Sequence, residues 1–214
     1  GLGIVLSGTL VPLLLRQGLT QAWLGLGLLS LLLTALAWRG WPTGEGTAAA
    51  QEDSVQPPSA RSLRALYFVY GLCAFGLVPH MIFFVDFIAR GLDQGLVAGA
   101  NYWVLVGLGA IAGPLLIGHF ADRSGYAIAL RLSLLIVAIA VALPGLLHTT
   151  GALVVSSVLA GAFMPGCVIL ALGRIRELVP NDAARQKSAW SLATTSFALC
   201  QAIAAYGYSY LFEH

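Results

Sequence analysis

The chain has 214 residues, of which 58% are hydrophobic and only 9% are charged. Soluble globular domains usually carry about 25% charged residues, and the mean hydropathy of +0.86 is too high for a single core surrounded by water. The composition therefore excludes an ordinary soluble domain, and the small net charge of +2 gives no indication of a nucleic-acid partner.

Long uncharged apolar stretches, separated by polar breaks, run through the whole sequence. A helix needs about 20 apolar residues to cross the hydrocarbon core, and backbone groups in lipid must be paired within the segment. A β-barrel would show short alternating segments instead. The pattern predicts an all-α polytopic membrane protein in the lipid bilayer, with seven transmembrane helices, the first one truncated. The predicted spans are residues 1–15, 22–38, 65–89, 100–121, 126–147, 152–173 and 188–212.

The basic residues in the breaks are unevenly distributed. Nine of the eleven Lys and Arg residues lie in or just beyond the second, fourth and sixth breaks, and two lie in the others. Lys and Arg accumulate on the cytoplasmic side of membrane proteins. We therefore predict a multi-pass protein of the cytoplasmic (inner) membrane in which these three breaks are cytoplasmic and the first span runs outward.

The second break, residues 39–63, differs from the others in composition. It is rich in Gly, Pro, Ala and small polar residues and has no apolar periodicity. Such a composition predicts a flexible linker, here on the cytoplasmic side. It divides the chain into two spans before it, residues 1–38, and five after it, residues 64–214. Because the other breaks are short, we expect the helices that flank them to be antiparallel neighbours.

The fourth break contains the pattern G-x-x-x-D-R-x-G, formed by Gly118, Asp122, Arg123 and Gly125, with Arg131 downstream. Gly118 would let a neighbouring helix approach closely, and Gly125 permits a sharp reversal. The Asp122 carboxylate can face the positive end of an adjacent helix. The pattern resembles the cytoplasmic signature loop of the major facilitator superfamily. That loop lies between the second and third helices of each six-helix half, and here it lies between the second and third spans after the linker.

The resemblance covers the whole chain, and three phrases, GIVLSGTLVPLLL, VPHMIFFVDFIARG and AYGYSYLFEH, are similar to the YbfB-type branch. It implies a partial major facilitator type helical bundle, with the spans as helices five to eleven of twelve, so we expect a segment of a longer protein. Residues 1–38 would be the last two helices of the N-terminal half and residues 64–214 the first five of the C-terminal half. The implied function is secondary active transport of a small-molecule substrate by alternating access, with the proton as the expected coupling ion.

The sixth break begins with two charged residues that the resemblance makes candidates for gating. It implies that Arg174 and Glu177 pair with Arg123 and Asp122 to latch the cytoplasmic side. The alternative is a local pair between Arg174 and Glu177, which lie one helical turn apart.

The first and fourth spans carry glycines and prolines that predict close helix packing. Small residues four apart let membrane helices approach each other, and the resemblance places these two spans at the contact between the halves. The residues are Gly3, Gly8 and Pro12 in the first span and Gly109, Gly113 and Pro114 in the fourth.

Ionisable residues inside a span are costly and indicate function by default. His80 lies near the middle of the third span beside Pro79, and it can change charge near neutral pH. We predict it to be a substrate or proton ligand, the alternative being a neutral histidine hydrogen-bonded to a neighbouring helix. Asp86 is a weaker candidate, because an i,i+4 pair with Arg90 also explains it. Further pathway candidates, for which packing or interfacial anchoring stays open, are Tyr70, Asn101 and Gln201.

Other classes of protein fit the sequence less well. There is no H-E-x-x-H, no G-x-S-x-G and no phosphate-binding loop for ATP, so we predict no enzyme, no metal site and no cofactor. A seven-helix receptor would need an inward first span. A structural membrane protein without transport activity would give no reason for the signature pattern. These two remain the alternatives to a transporter.

Overall fold

A computed structural model describes residues 1–38 and 60–213, and within them seven helices and no strands are present. Of the predicted linker, residues 39–59 lie outside the described residues, and residues 60–63 already belong to the third helix. The helices are α1 (Leu2–Leu15), α2 (Leu19–Trp38), α3 (Ala60–Gly91), α4 (Gly95–Ser124), α5 (Tyr126–Leu146), α6 (Thr150–Leu178) and α7 (Ala183–Glu213).

Five of the described helices, α2 to α6, are long and apolar enough to cross a membrane. The helix α1 is apolar but only 14 residues long. The helix α7 has 31 residues but is less apolar than these five, because Ser, Thr, Gln and Tyr interrupt its apolar residues. The all-helical class predicted from the sequence is confirmed, and the chain is a multi-pass membrane protein.

Helix neighbours in space are only partly neighbours in sequence. The most extensive contact joins α4 and α6, followed by α3 with α7, and then by α1 with α4 and α5 with α6. The contact between α6 and α7 is small, although only four residues separate them. The expectation that every short break joins packed neighbours is therefore wrong for this pair. A short turn restrains only the two ends it connects, whereas close packing along the helices decides which of them lie side by side.

The buried apolar residues form two clusters. The larger lies among α3, α5, α6 and α7 and includes Leu77, Phe163 and Leu170. The smaller joins the end of α3 to α4 and α6 through Phe84 and Val106. By contrast, most large apolar side chains of α2 are exposed, which requires an apolar surrounding.

The helix α3 is irregular in its second half. Two π-helical turns, Pro79–Phe83 and Phe87–Gly91, flank the short α-helical segment Phe84–Asp86. Proline lacks the amide donor of a regular helix, and π-turns inside helices often occur at functional sites. The first of these turns positions His80.

Candidate functional site

The turn between α4 and α5 is a reversal made by one residue. Gly125 alone separates Ser124, the last residue of α4, from Tyr126, the first of α5. Its φ of +84° is in the region that favours glycine, and its amide donates to the carbonyl of Ala121 at 2.8 Å. The G-x-x-x-D-R-x-G pattern thus ends in a glycine that this backbone conformation requires.

Tyr126 makes three contacts, one within this turn and two with the end of α6. Its hydroxyl donates to Asp122 Oδ1 at 2.8 Å, and its backbone amide donates to Glu177 Oε1 at 3.0 Å. Its ring lies on Gly173, where a Cβ atom would overlap the ring carbons. We call Asp122, Tyr126, Gly173, Arg174 and Glu177 the turn cluster.

The charged residues of the turn cluster pair differently from the gating network expected from the sequence. Arg174 Nη1 donates to Glu177 Oε2 at 2.7 Å, and both side chains are about one third exposed. Among the described residues, no ion pair joins Arg174 or Glu177 to Asp122 or Arg123. The local i,i+3 pair forms instead, and Asp122 is bound by the Tyr126 hydroxyl, which lies between the two segments.

The remaining basic residues of the predicted gate are exposed. Arg123 lies in the last turn of α4, and Arg131 lies one and a half turns into α5. Neither side chain forms an ion pair with another described residue. Their charges therefore face the surroundings of the described bundle.

Gly118, the first glycine of the pattern, is not at a close helix contact. A Cβ atom there would lie 3.9 Å from Ile169 Cγ2, an ordinary van der Waals distance. This differs from the expectation that Gly118 allows a close approach, and the reason is that the two helices come nearest earlier in α4.

That nearest approach of α4 and α6 is made by three glycines, which we call the glycine seam: Gly109 and Gly113 of α4 and Gly161 of α6. A Cβ on Gly113 would lie 2.7 Å from the carbonyl carbon of Ala162, and one on Gly109 would lie 3.0 Å from the Ala162 nitrogen. A Cβ on Gly161 would lie 2.8 Å from Val106 Cα. Each glycine meets backbone, so no side chain can move aside.

The helices α1 and α4 also pack through small residues. A Cβ on Gly8 would lie 2.8 Å from Val104 Cγ2, and Trp103 Nε1 donates to Ser7 Oγ at 3.1 Å across the contact. Gly3 differs from the expectation, because no described atom lies within 4 Å of a Cβ placed there. Gly109 and Gly113 face α6 rather than α1, and Pro12 and Pro114 lie inside α1 and α4.

His80 is buried inside the bundle at 2% exposure. Its Nε2 lies 2.7 Å from Ser156 Oγ, and Ser156 Oγ donates to the carbonyl of Ala140 at 2.6 Å. Since the single hydroxyl proton goes to that carbonyl, Ser156 accepts from Nε2–H. The chain of bonds joins α3, α6 and α5. Nδ1 has no partner among the described residues, and the ring stacks on Phe84 with centroids 4.5 Å apart.

The whole chain, residues 1–214, matches the model of the family described as "Uncharacterised MFS-type transporter YbfB". The chain belongs to this family. Neither a curated protein nor a solved structure matches it significantly. Membership makes this YbfB-type protein a membrane transporter, which acts in the lipid bilayer on a small-molecule substrate.

The pathway candidates of this YbfB-type chain are not gathered in one place. Tyr70 packs between Phe197 and Trp190 at centroid distances of 4.8 and 5.9 Å. Gln201 Nε2 donates to the Met81 sulfur at 3.7 Å, also between α3 and α7. The remaining candidates are placed as follows: His80 among α3, α5 and α6, Asp86 in an exposed pair with Arg90, and Asn101 exposed near the start of α4.

Three residues that matter in this geometry were missed as site residues by the sequence reasoning. They are Tyr126, Gly173 and Ser156, for which the sequence predicted no role in a site. Tyr126 directly follows the last glycine of the signature pattern, which was a usable signal. The other two carry no signal in one sequence, because their roles depend on partners 47 and 76 positions away.

Proposed function

We propose that this chain is part of a secondary active transporter that moves a small solute across the cytoplasmic membrane by alternating access, coupled to protons. The match of residues 1–214 to the YbfB-type transporter family is the observation that carries the proposal. The helical bundle supports it, since transporters of this kind place substrate between two helical units that rock against each other.

We propose that residues 1–38 and 64–214 belong to the two halves and that residues 39–63 tether them on the cytoplasmic side. The packing of α1 against α4 supports this division. Gly8 and the Trp103–Ser7 hydrogen bond bring the two helices together. Among the described helices that follow residues 39–63, α4 is the one with which α1 makes its main contact. A single helix contact leaves room for one half to tilt against the other.

In this mechanism the turn between α4 and α5 closes the cytoplasmic side in one state. The turn cluster lies at helix ends and is partly exposed. A typical hydrogen bond of this kind contributes only about 0.5 to 1.5 kcal/mol, so it can break and re-form during a transport cycle. Arg123 and Arg131 carry unpaired charge beside it, available to groups that approach in the closed state.

The proton site is proposed at His80 rather than at Asp86. His80 Nδ1 has no described partner, so it can take a proton while Nε2–H stays on Ser156. The Asp86 carboxylate is already paired with Arg90 at the surface. An ionisable group buried in a membrane bundle costs more free energy than one at its surface. The burial of His80 therefore favours a functional role for it.

The proposal is tested with the full-length protein in proteoliposomes that contain a pH-sensitive dye. A panel of amino acids, sugars, nucleosides, organic acids and cationic drugs is added outside. We expect at least one class to cause proton flux that is absent in empty liposomes. Asp122→Asn should slow this flux and raise the reactivity of engineered cytoplasmic cysteines, because the latch is weakened. Asp182→Asn is the matched control, because it removes a carboxylate charge just before α7, outside the α4–α5 turn, while the asparagine still accepts from the Arg185 amide.

Absence of solute-dependent flux for every class, together with unchanged cysteine reactivity in Asp122→Asn, would contradict the proposal. The receptor and the structural membrane protein would then be the better interpretations. If solute-dependent flux is present but Asp122→Asn changes neither the flux nor the cysteine reactivity, the transport function is supported and the latch role of Asp122 is contradicted.

A further inference from the structure

Tyr126 occupies an unusual position, because one residue contacts three different segments. It is the first residue of α5, its hydroxyl reaches Asp122 in the last turns of α4, and its amide and ring reach α6. The last turn of α4, the first of α5 and the last of α6 therefore meet at this side chain.

The contact with α6 has two matched parts. Gly173 and Glu177 are four residues apart, so they lie on one face of the helix, one turn above the other. The ring of Tyr126 covers the first, and its amide donates to the second at 3.0 Å. Gly173 is buried, and any side chain there would occupy the space of the ring. The face of α6 is thus shaped to receive an aromatic residue at the start of α5.

The contact is also electrostatically favourable. The first amides of a helix lack partners within it and carry partial positive charge. Glu177 supplies a carboxylate to one of these amides in α5, and Arg174 holds that carboxylate from the other side at 2.7 Å. The Tyr126 hydroxyl meanwhile donates to the Asp122 carboxylate. Both acidic residues of the predicted gate are therefore bound through Tyr126 and not through Arg123.

We infer that Tyr126 is the positioning residue of the gate: seated on Gly173, it locks the α4–α5 turn to the end of α6 in the closed state, so that Asp122 is presented in a fixed orientation. The gating role of Tyr126 rests on the proposed transport function, but its contact with α6 can be tested without measuring transport. On this inference the link between the two segments is an aromatic ring on a glycine and one hydrogen bond from a backbone amide, in place of a bridge between opposite charges.

The experiment measures how fast a cysteine at position 124 reacts with a membrane-impermeant maleimide. The full-length protein carries Ser124→Cys in a background whose native cysteines, among them Cys73, Cys167 and Cys200 of this chain, are replaced by alanine. Tyr126→Ala removes the seated ring and Gly173→Ala displaces it, so both should raise the labelling rate about five- to tenfold, as expected for the loss of one typical hydrogen bond. Tyr126→Phe keeps the ring and loses the hydroxyl, so its rate should lie between Tyr126→Ala and the parent.

Two controls make the result specific. Gly151→Ala adds the same methyl group to α6 where no described atom lies within 4 Å, and it should leave the rate unchanged. The double variant Tyr126→Ala, Gly173→Ala should label no faster than either single variant, because residues in contact have non-additive effects. Size-exclusion elution of each variant in detergent shows whether it is folded, and if Gly173→Ala is not, the two Tyr126 variants decide.

Rates within twofold of the parent for Tyr126→Ala, or additive rates in the double variant, would overturn the inference. Changed labelling in a protein that transports nothing would support the positioning role and contradict the proposed function. Unchanged labelling in a protein that transports a solute would contradict the positioning role and support the proposed function.

Discussion

Two of the contacts that the helix α6 makes with the preceding helices differ in kind. In its middle, the glycine seam brings backbone against backbone, with each glycine facing main-chain atoms of the partner helix. At its end, the turn cluster joins α6 to the α4–α5 turn through one hydrogen bond, from the Tyr126 amide to Glu177, and one ring on Gly173. Two further hydrogen bonds of this partly exposed region lie within the turn and within α6. The first contact has no side chain that can adapt, whereas the second consists of side chains that can change partners.

This difference separates a fixed region from a switchable one. Backbones that touch through glycine can separate only if the whole helix moves, because packed interiors do not deform continuously. Hydrogen bonds at helix ends each contribute about 0.5 to 1.5 kcal/mol, and water can replace them. A transporter needs both properties: rigid halves and a closure at one end that opens in every cycle.

The largest effect is expected for Gly113→Ala in the glycine seam. The added methyl group would lie 2.7 Å from the carbonyl carbon of Ala162, so the helices must separate. Overpacking of this kind usually destabilises by about 1 to 3 kcal/mol, and we expect the upper end of that range. Thermal unfolding in detergent, followed by fluorescence of a buried-thiol dye, measures it. Gly118→Ala, with ordinary contacts only, is the control, and equal stability of the two variants would remove the distinction between the regions.

The next largest effect is expected for Ser156→Ala. This change leaves His80 Nε2–H buried without an acceptor, and an unsatisfied buried donor destabilises by about 1 to 2 kcal/mol. Its neighbour Ser157 is equally buried but bonds only to Leu153 of its own helix. Ser157→Ala should therefore unfold at nearly the temperature of the parent. Equal losses from the two changes would mean that the link among α3, α5 and α6 contributes nothing.

A smaller effect is expected for Glu177 in the turn cluster. Glu177→Gln keeps an acceptor for the Tyr126 amide but loses the charge facing Arg174, which at this exposure should reduce stability by about 0.5 kcal/mol. Glu177→Ala loses both interactions and should lose about 1 kcal/mol or slightly more. Denaturant unfolding of the two variants in parallel gives the difference. If Glu177→Gln is as unstable as Glu177→Ala, the ion pair with Arg174, and not the hydrogen bond from the Tyr126 amide, stabilises the turn.

The smallest effect is expected for Asp86→Asn. Its pair with Arg90 is exposed on both sides, and exposed i,i+4 pairs contribute about 0.3 to 0.5 kcal/mol. Stability should barely change, and proton-coupled flux in proteoliposomes should stay near the parent value. Loss of flux with unchanged stability would place the proton site at Asp86 and contradict its assignment to His80.

Much of the fold could be predicted because it depends on interactions along one stretch of chain. Continuous apolar runs predict helices, since unpaired backbone groups cannot remain in lipid. The reversal at Gly125 and the pair between Asp86 and Arg90 involve residues at most four positions apart, so spacing alone indicates them. The local Arg174–Glu177 pair was present in the sequence reasoning as the alternative to the gating network, for the same reason.

What the sequence determined by itself is therefore the helical membrane class, the positions of the helices and the contacts within single turns, because residue spacing and hydropathy decide all three. Only the tertiary structure decided that α4 packs on α6, that Gly3 faces open space, that the ring of Tyr126 covers Gly173 and that His80 bonds to Ser156. These contacts join residues tens of positions apart. They depend on how whole helices cross, and many crossings are compatible with the same apolar pattern.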